Sequence, residues 1–338
     1  MLVQNSELLN SVFIWLETKI RGRENWFLGI LDTLENIREY RYTKTHMKHG
    51  SILIVGAKGT LGQALSDEFT QHGYEVLGWD REELDVTDEQ TVKEKITTVS
   101  PALLINATAN NAVDKIEEDD ETFALAQKVN GLAPGYLAAV ARELAIPFIH
   151  FSTDYVFSGN QNVPYTEDGV PDPISRYGET KLLGEKEVGR VCGQYYIIRL
   201  SRLFGKPGIS AQSKRSFVDT MIYLVKEMKK ERLEVVDDQI SSPTYAPDLA
   251  MFTRRLYEER QTTGIYHGAN SGQCSWFEWA KKIFALTNLT VELVPVPHTN
   301  FFRLAKAPAF SVLQNTKLPA QRSWEEALEE YLKLEIGN

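Results

Sequence analysis

The chain has 338 residues, with 37 Lys and Arg against 46 Asp and Glu for a formal charge of −9, and 43% of its residues are hydrophobic. That length and apolar content exclude a disulfide miniprotein and a disordered chain, and leave room for one large or two ordinary domains. An acidic balance, with a pI of about 5.4, excludes general affinity for nucleic acid, which needs a concentrated Lys/Arg face.

Cys192 and Cys274 stand alone, without a CxxC or a histidine at ligand spacing. They read as reduced core thiols, with no metal site expected. No stretch approaches the roughly twenty apolar residues of a membrane span, and the opening MLVQNSELLN lacks the basic region and cleavage site of an export signal. A cytoplasmic protein with no membrane partner is expected.

Residues 1 to about 45 carry apolar side chains at helical spacing, Leu8, Leu9, Val12, Phe13 and Leu16, then Trp26, Phe27, Ile30, Leu31, Leu34 and Ile37. Two helices are predicted, broken at Arg21-Gly22-Arg23. With seven Lys/Arg against six Asp/Glu over residues 1–49, the segment is no cationic membrane anchor. Its apolar face suits docking on the rest of the chain or self-association, so a homodimer is one expected state.

The main domain is expected to run over 50–338. Strands are predicted at 52–55, 75–78, 103–107, 147–151 and 195–200, and helices at 61–71, 88–98, 123–144 and 217–229. Such alternation implies right-handed crossovers and a parallel sheet with helices on both faces. Helices at 276–286 and 324–334 among Pro-rich connections break the alternation. They read as a smaller C-terminal α/β lobe, drawn mainly from parts of 155–180, 202–250 and 270–338.

The first strand ends in Gly56-Ala57-Lys58-Gly59-Thr60-Leu61-Gly62, glycines at a strand-to-helix turn. A dinucleotide diphosphate needs this: a tight turn, close backbone approach and a helix N-terminus facing the negative charge. Asp80 closes the second strand eighteen residues after Gly62, where a carboxylate accepts from a ribose hydroxyl. Arg81 beside it suits a 2′-phosphate instead, so the two neighbours point in opposite directions on NADH and NADPH; NADPH is expected, with NADH as the alternative. Tyr177 and Lys181, four apart, share one face if their segment is helical. The strand before them runs into Thr153, Asp154 and Tyr155, at the carboxyl end of the sheet where such folds bind ligands.

These pieces together resemble the dTDP-4-dehydrorhamnose reductase family of extended short-chain dehydrogenases/reductases, which have a Rossmann doubly wound sheet. The resemblance is carried by GAKGTLG at 56–62, INATANNAVDKIE at 105–117, FSTDYVFSG at 151–159, PYTED at 164–168, YGETKLLGEK at 177–186, RLSRLFG at 199–205 and DDQISSPTYAPDLA at 237–250. It implies a reductase of a nucleotide-activated 4-keto-6-deoxy sugar, serving deoxysugar and surface polysaccharide synthesis. Tyr177 would protonate the C4 oxygen as hydride arrives. Lys181 would hold the nicotinamide ribose and lower the tyrosine's pKa by its charge, and Thr153 would hydrogen-bond the ketone oxygen. Asp85 and Val86 would meet adenine, and Asn106, Ala107 and Thr108 would line the cofactor's phosphates and ribose. Asn111, Val113, Asp154, Tyr155, Arg202 and Gln239 would line the substrate cleft.

The chain departs from the family pattern in three places. It has Asn110-Asn111 for His-Thr, Arg202 for a tryptophan, and Ala305-Lys306-Ala307-Pro308 for an Arg-Pro signature. Arg202 would present charge to the diphosphate. Two readings of other classes stand beside the reductase. An epimerase or dehydratase would retain and recycle its cofactor, and a non-catalytic nucleotide-binding subunit would co-purify with a partner.

Overall fold

The structure, a computed structural model, describes residues 50–191, 193–210 and 213–335. The helices read in residues 1 to 45, and Cys192, lie outside them. Among the described residues no helix is long and apolar enough to cross a membrane.

β1 (Ile52–Val55) is a run of four branched apolar side chains, all fully buried. A strand covered on both faces needs apolar residues at every position rather than alternate ones. The chain continues through α1 (Thr60–Gln71), β2 (Val76–Trp79), α2 (Glu89–Val99) and β3 (Leu103–Asn106), then α3 (Val113–Glu118), α4 (Asp120–Ala126) and α5 (Ala133–Glu143) to β4 (Phe148–Thr153). After β4 come α6 (Arg176–Val191) and β5 (Tyr195–Leu200), then β6 (Leu203–Phe204), α7 (Phe217–Lys226), β7 (Arg232–Val236), β8 (Ile240–Ser241), β9 (Thr244–Tyr245) and α8 (Ala246–Glu258). The last elements are β10 (Gly264–His267), β11 (Cys274–Ser275), α9 (Trp276–Thr287), β12 (Glu292–Val296) and α10 (Trp324–Glu335).

Six strands form one sheet in the order β2-β1-β3-β4-β5-β10, every pair parallel. The chain leaves β1 for β2 on one side and returns to place β3 on the other. The crevice outside the carboxyl ends of β1 and β3 is therefore the ligand position of a doubly wound sheet. One face packs Leu61, Leu65 and Phe69 of α1 and Leu249, Phe252 and Leu256 of α8 against Ile52 and Ile54. The other packs Val92 and Ile96 of α2, Leu137 and Val140 of α5 and Val188 of α6 against Leu53 and Val55. A separate cluster, with Phe204, Trp279, Trp324 and Tyr331 at its centre, is the core of the C-terminal lobe. Ser216 and Ser275 start α7 and α9 with capping boxes closed by Asp219 and Glu278.

β5 keeps its sequence-predicted bounds, and β1 likewise. The helix expected over 123–144 is instead α4 and α5 joined by a π-helical turn, Gln127–Leu132. Pro134 has no N–H to give the carbonyl of Asn130 four residues earlier, which widens the ladder there. α8 and β10 went unread in the sequence. β10 is only Gly-Ile-Tyr-His, too short and mixed to show a period, yet it pairs with β5 as an edge of the main sheet.

Candidate active site

Gly56 turns the chain out of β1 at φ +86°, a left-handed conformation that a side chain disfavours. A Cβ there would lie 2.8 Å from the backbone of Ala107 and Thr108, and one on Gly62 would lie 2.1 Å from the Gly56 carbonyl oxygen. Only glycines allow this packing of loop, helix and β3. Gly59 is the N-cap of α1 and makes no side-chain cap bond, so the dipole end of Thr60, Leu61 and Gly62 faces the crevice without a capping oxygen. That cradle fits a dinucleotide diphosphate. The segment after β6 closes on the same loop, Ile209 N donating to the Lys58 carbonyl at 2.8 Å and Gly208 N to Thr60 Oγ1 at 3.2 Å.

Asp80 stands where the sequence puts it, at the end of β2 over the glycine loop. Its carboxylate accepts from the backbone N–H of Lys58 at 3.1 Å and of Arg81 at 2.8 Å. The Arg81 side chain is exposed. The Lys58 ammonium pairs with Glu82 at 2.6 Å. Asp85 accepts from Thr87 N and Oγ1, bonds that lower its pKa, and Val86 is buried beside it. At the end of β3, Asn106 is fully buried. It bonds His150 Nδ1 at 3.2 Å and accepts from Thr108 N and Oγ1, fixing the Asn106-Ala107-Thr108 turn against Gly56.

β4 ends in Thr153, and α6 begins so that Tyr177 and Lys181 face it, all three buried. Close approach of α6 is permitted by Gly178, whose Cβ would fall 2.3 Å from the Tyr155 carbonyl oxygen. The Tyr177 hydroxyl donates to Asn111 Oδ1 at 3.2 Å and also bonds the Thr153 side chain. Its ring meets Tyr155 edge-on at 5.4 Å, with Val113 packed beside them. The Lys181 ammonium donates to the Phe151 carbonyl at 2.6 Å, which leaves further N–H groups for another acceptor. Burial pulls its pKa down to about 8, against the charge of Glu185. The lowering of the tyrosine's pKa expected from Lys181 is reversed among these side chains. Burial first, then the negative charge of Asp154, holds the Tyr177 phenol above its ordinary range.

Asp154 accepts from Thr153 Oγ1 at 3.0 Å and from Ser311 Oγ at 2.6 Å. Burial pushes its pKa up to about 6, opposed by those two hydroxyls and by Arg202. Arg202 sits at φ +44°. Its guanidinium lies 3.9 Å over the Trp276 ring and donates to the backbone carbonyls of Cys274 at 2.8 Å and Gln239 at 2.7 Å. Arg202 thus has a tryptophan of α9 under it, and it ties β11 and Gln239, the residue before β8, to the turn after β5. Gln239 joins the site through its carbonyl. At the rim, Arg303 pairs with Asp114 at 3.0 Å and bonds Tyr155.

Thr153, Tyr177 and Lys181 thereby meet Asn111, Val113, Asp154 and Tyr155 at one sheet edge, and the glycine loop, Asp80, Arg81 and Asp85 gather past β3, beyond the ends of β1 and β2. Sequence reasoning missed Ser311 and Asn130. Asn130 Oδ1 accepts from Asn110 N, and its Nδ2 donates to Asn110 O and to Thr180 Oγ1, which holds the Asn110-Asn111 loop to α6. Its signal was Pro134, four residues on. Ser311 reaches Asp154 across 157 positions, a separation no local pattern spans.

Residues 50–336 match the family model described as RmlD substrate binding domain. The chain is 35% identical over 286 residues to the spore coat polysaccharide biosynthesis protein SpsK of Bacillus subtilis, covering 83% of this chain and 96% of that one. It is 35% identical over 283 residues to a dTDP-4-dehydrorhamnose reductase of Burkholderia thailandensis, 79% of this chain and 91% of that one. Among solved structures it is similar to the dTDP-4-dehydrorhamnose reductase of Bacillus anthracis in complex with NADP. That likeness has a TM-score of 0.78 and 35% identity, over 84% of this chain and 99% of the other.

Proposed function

The chain belongs to the RmlD substrate binding domain family, and from that premise we propose that it is an NAD(P)H-dependent reductase of a nucleotide-activated 4-keto-6-deoxy sugar, dTDP-linked, in deoxysugar and surface polysaccharide synthesis. The observation that carries the reading is the meeting of Thr153, Tyr177 and Lys181 beyond the carboxyl end of β4, on the sheet edge where the glycine cradle of β1 also opens. The same reading assigns residues 50–338 to the reductase domain and 1–49 to an extension outside it. It places the protein in the cytoplasm, with a homodimer as its expected assembly.

When bound, reduced nicotinamide supplies the hydride that C4 of the sugar takes up. The residues here supply the rest. Tyr177 gives its phenolic proton to the C4 oxygen as negative charge builds there, general acid catalysis by a group already dry and fixed by Asn111. Lys181, with N–H groups beyond the one given to Phe151, binds ribose hydroxyls and places positive charge beside the phenol. Thr153 donates to the ketone oxygen. Gly56, Gly59 and Gly62, with the amides of Thr60 and Leu61, take the diphosphate, and Asp80 and Arg81 the adenosine ribose and its 2′-phosphate, which favours NADPH. Asn111, Val113, Tyr155, Arg202 and Gln239 line the sugar's side, and Arg303 closes its mouth.

Purified protein with NADPH and a panel of dTDP-4-keto-6-deoxyhexoses should oxidise the cofactor. Binding of NADPH without turnover on any of them would refute the reading. Tyr177→Phe should keep cofactor affinity and lose on the order of a hundredfold or more in kcat.

A further inference from the structure

A threonine hydroxyl carries one O–H and two acceptor lone pairs, so Thr153 gives its hydrogen to one acceptor at a time. In the structure two acceptors compete for it, Asp154 Oδ1 at 3.0 Å and the phenol oxygen of Tyr177, whose own hydrogen goes to Asn111, while Thr153 Oγ1 accepts from the Tyr155 N–H at 3.2 Å. The second carboxylate oxygen is held by Ser311 Oγ at 2.6 Å. Thr153, Asp154 and Ser311 are all buried, so water does not compete for these bonds. A hydroxyl committed to a carboxylate cannot also donate to a ketone oxygen.

We propose that Asp154 is a positioning residue that acts through Thr153: its neutral carboxyl turns the threonine hydroxyl toward the sugar's carbonyl oxygen, and its carboxylate turns it away. This rests on the ketoreductase reading above. In the neutral form the carboxyl O–H donates to Thr153 Oγ1 along the same contact, which releases the threonine hydrogen. Ser311 keeps the other oxygen as an acceptor, so the carboxyl proton lies on the Thr153 side. In the ionised form the contact reverses, and a negative charge stands beside the oxygen on which reduction builds negative charge. Tyr177 feels the same charge, since Asp154 is among the causes that make its phenol a weaker acid.

The charged and titratable groups around Asp154 are Tyr177 of α6, Tyr155 of its own turn and Arg202 beyond β5. Cys274 lies behind Arg202, and the Arg303–Asp114 pair lies beyond Tyr155. Burial outweighs them, and the carboxyl changes state at about pH 6. The neutral form supports reduction, so kcat falls as pH rises through that value.

The test is kcat and KM against pH, across the range around pH 6, for the full chain and its Asp154→Asn, Asp154→Leu and Ser311→Ala variants. With Ser311 on the amide oxygen, the asparagine NH₂ faces Thr153 and imitates the neutral carboxyl. The alkaline fall in kcat should vanish in Asp154→Asn. Its kcat should exceed that of Asp154→Leu by on the order of tenfold, one hydrogen bond's contribution. Ser311→Ala should move the fall to higher pH, because the lost bond favoured the carboxylate. A purely structural role for Asp154 would lower kcat and leave the pH profile in place. The inference is overturned if Asp154→Asn retains the wild-type profile or if Asp154→Leu matches it at every pH. Absence of any turnover by the wild type overturns the ketoreductase reading, and this inference with it. Turnover with an unaltered profile in Asp154→Asn overturns this inference alone.

Discussion

Replacing Glu185 with leucine should cost the protein about 3–5 kcal/mol of stability, the penalty for leaving a buried charge without its partner. Glu185 lies on α6 one turn after Lys181, and Arg199 lies in β5. They form two parallel bonds, Arg199 Nε to Glu185 Oε1 at 2.8 Å and Nη2 to Oε2 at 2.7 Å, with the arginine side chain 1% and the glutamate side chain 4% exposed. The guanidinium also sits 5.0 Å over the Phe157 ring, and its Nη1 has no hydrogen-bond partner among the described residues, so loss of the carboxylate would leave a nearly unpaired cation under the sheet. The double variant Glu185→Leu with Arg199→Met removes both charges and fills the space. It should unfold within about 1 kcal/mol of wild type or above it, since an apolar pair often replaces a buried ion pair without loss. Urea unfolding of the four proteins of the cycle, followed by tryptophan fluorescence, gives the coupling directly. Glu185→Leu losing less than about 1 kcal/mol, or the double variant losing the sum of the two singles, would refute the argument. A side effect follows on the same helix: the Glu185 charge supports the protonated form of Lys181, so its removal should pull the lysine's pKa below about 8.

Gly62→Ala should abolish cofactor binding and cost about 1–3 kcal/mol, because its Cβ meets only backbone, the Gly56 carbonyl at 2.1 Å and Ala57 Cα at 2.7 Å; calorimetry with NADPH checks the first and urea unfolding the second. Asp154→Asn should stabilise the protein above about pH 6. The folded pKa of Asp154 is raised from 3.8 to about 6, so its folded state binds the extra proton between those values, stability falls as pH rises through that window, and the loss of about 3 kcal/mol persists at neutral pH until the charge is removed. Unfolding of both proteins at pH values below 4 and above 6 should show the difference only in the second; equal stability at both would contradict it. Arg81→Ala should raise the KM for NADPH several-fold and leave that for NADH in place, since the exposed guanidinium beside Asp80 answers the 2′-phosphate alone; a matched rise for both cofactors would count against it.

What could be read from the amino-acid order is what depends on neighbours in the chain. Four consecutive branched residues make β1, glycines at 56, 59 and 62 force the turn after it, and a spacing of four sets Tyr177 and Lys181 on one face of α6. Each rests on backbone sterics or on helical and strand periods within a few residues. The strand ending at Thr153 and Asp154, and the reading of its edge as a ligand site, follow from the alternation of strands and helices in the same way. The break of the helix at Gln127–Leu132 was written locally too, in Pro134, although its consequence, Asn130 bonding the loop of Asn111 to α6, was not.

Tertiary structure alone decided where side chains with several candidate partners spend their bonds. The sequence offered Arg202 as a cation free to meet a ligand. Folding put β8 and β11 beside the end of β5, and the guanidinium gave two of its N–H groups to the carbonyls of Gln239 and Cys274 over Trp276. Lys181 was expected to make the phenol of Tyr177 more acidic. Desolvation beside the Asp154 carboxylate works in the other direction, and burial is a property of the packed whole. Ser311 reached Asp154, and Arg199 reached Glu185, only because sheet and lobe closed around them: a buried polar group must be satisfied by whatever the fold brings within hydrogen-bond distance, wherever in the chain that group lies.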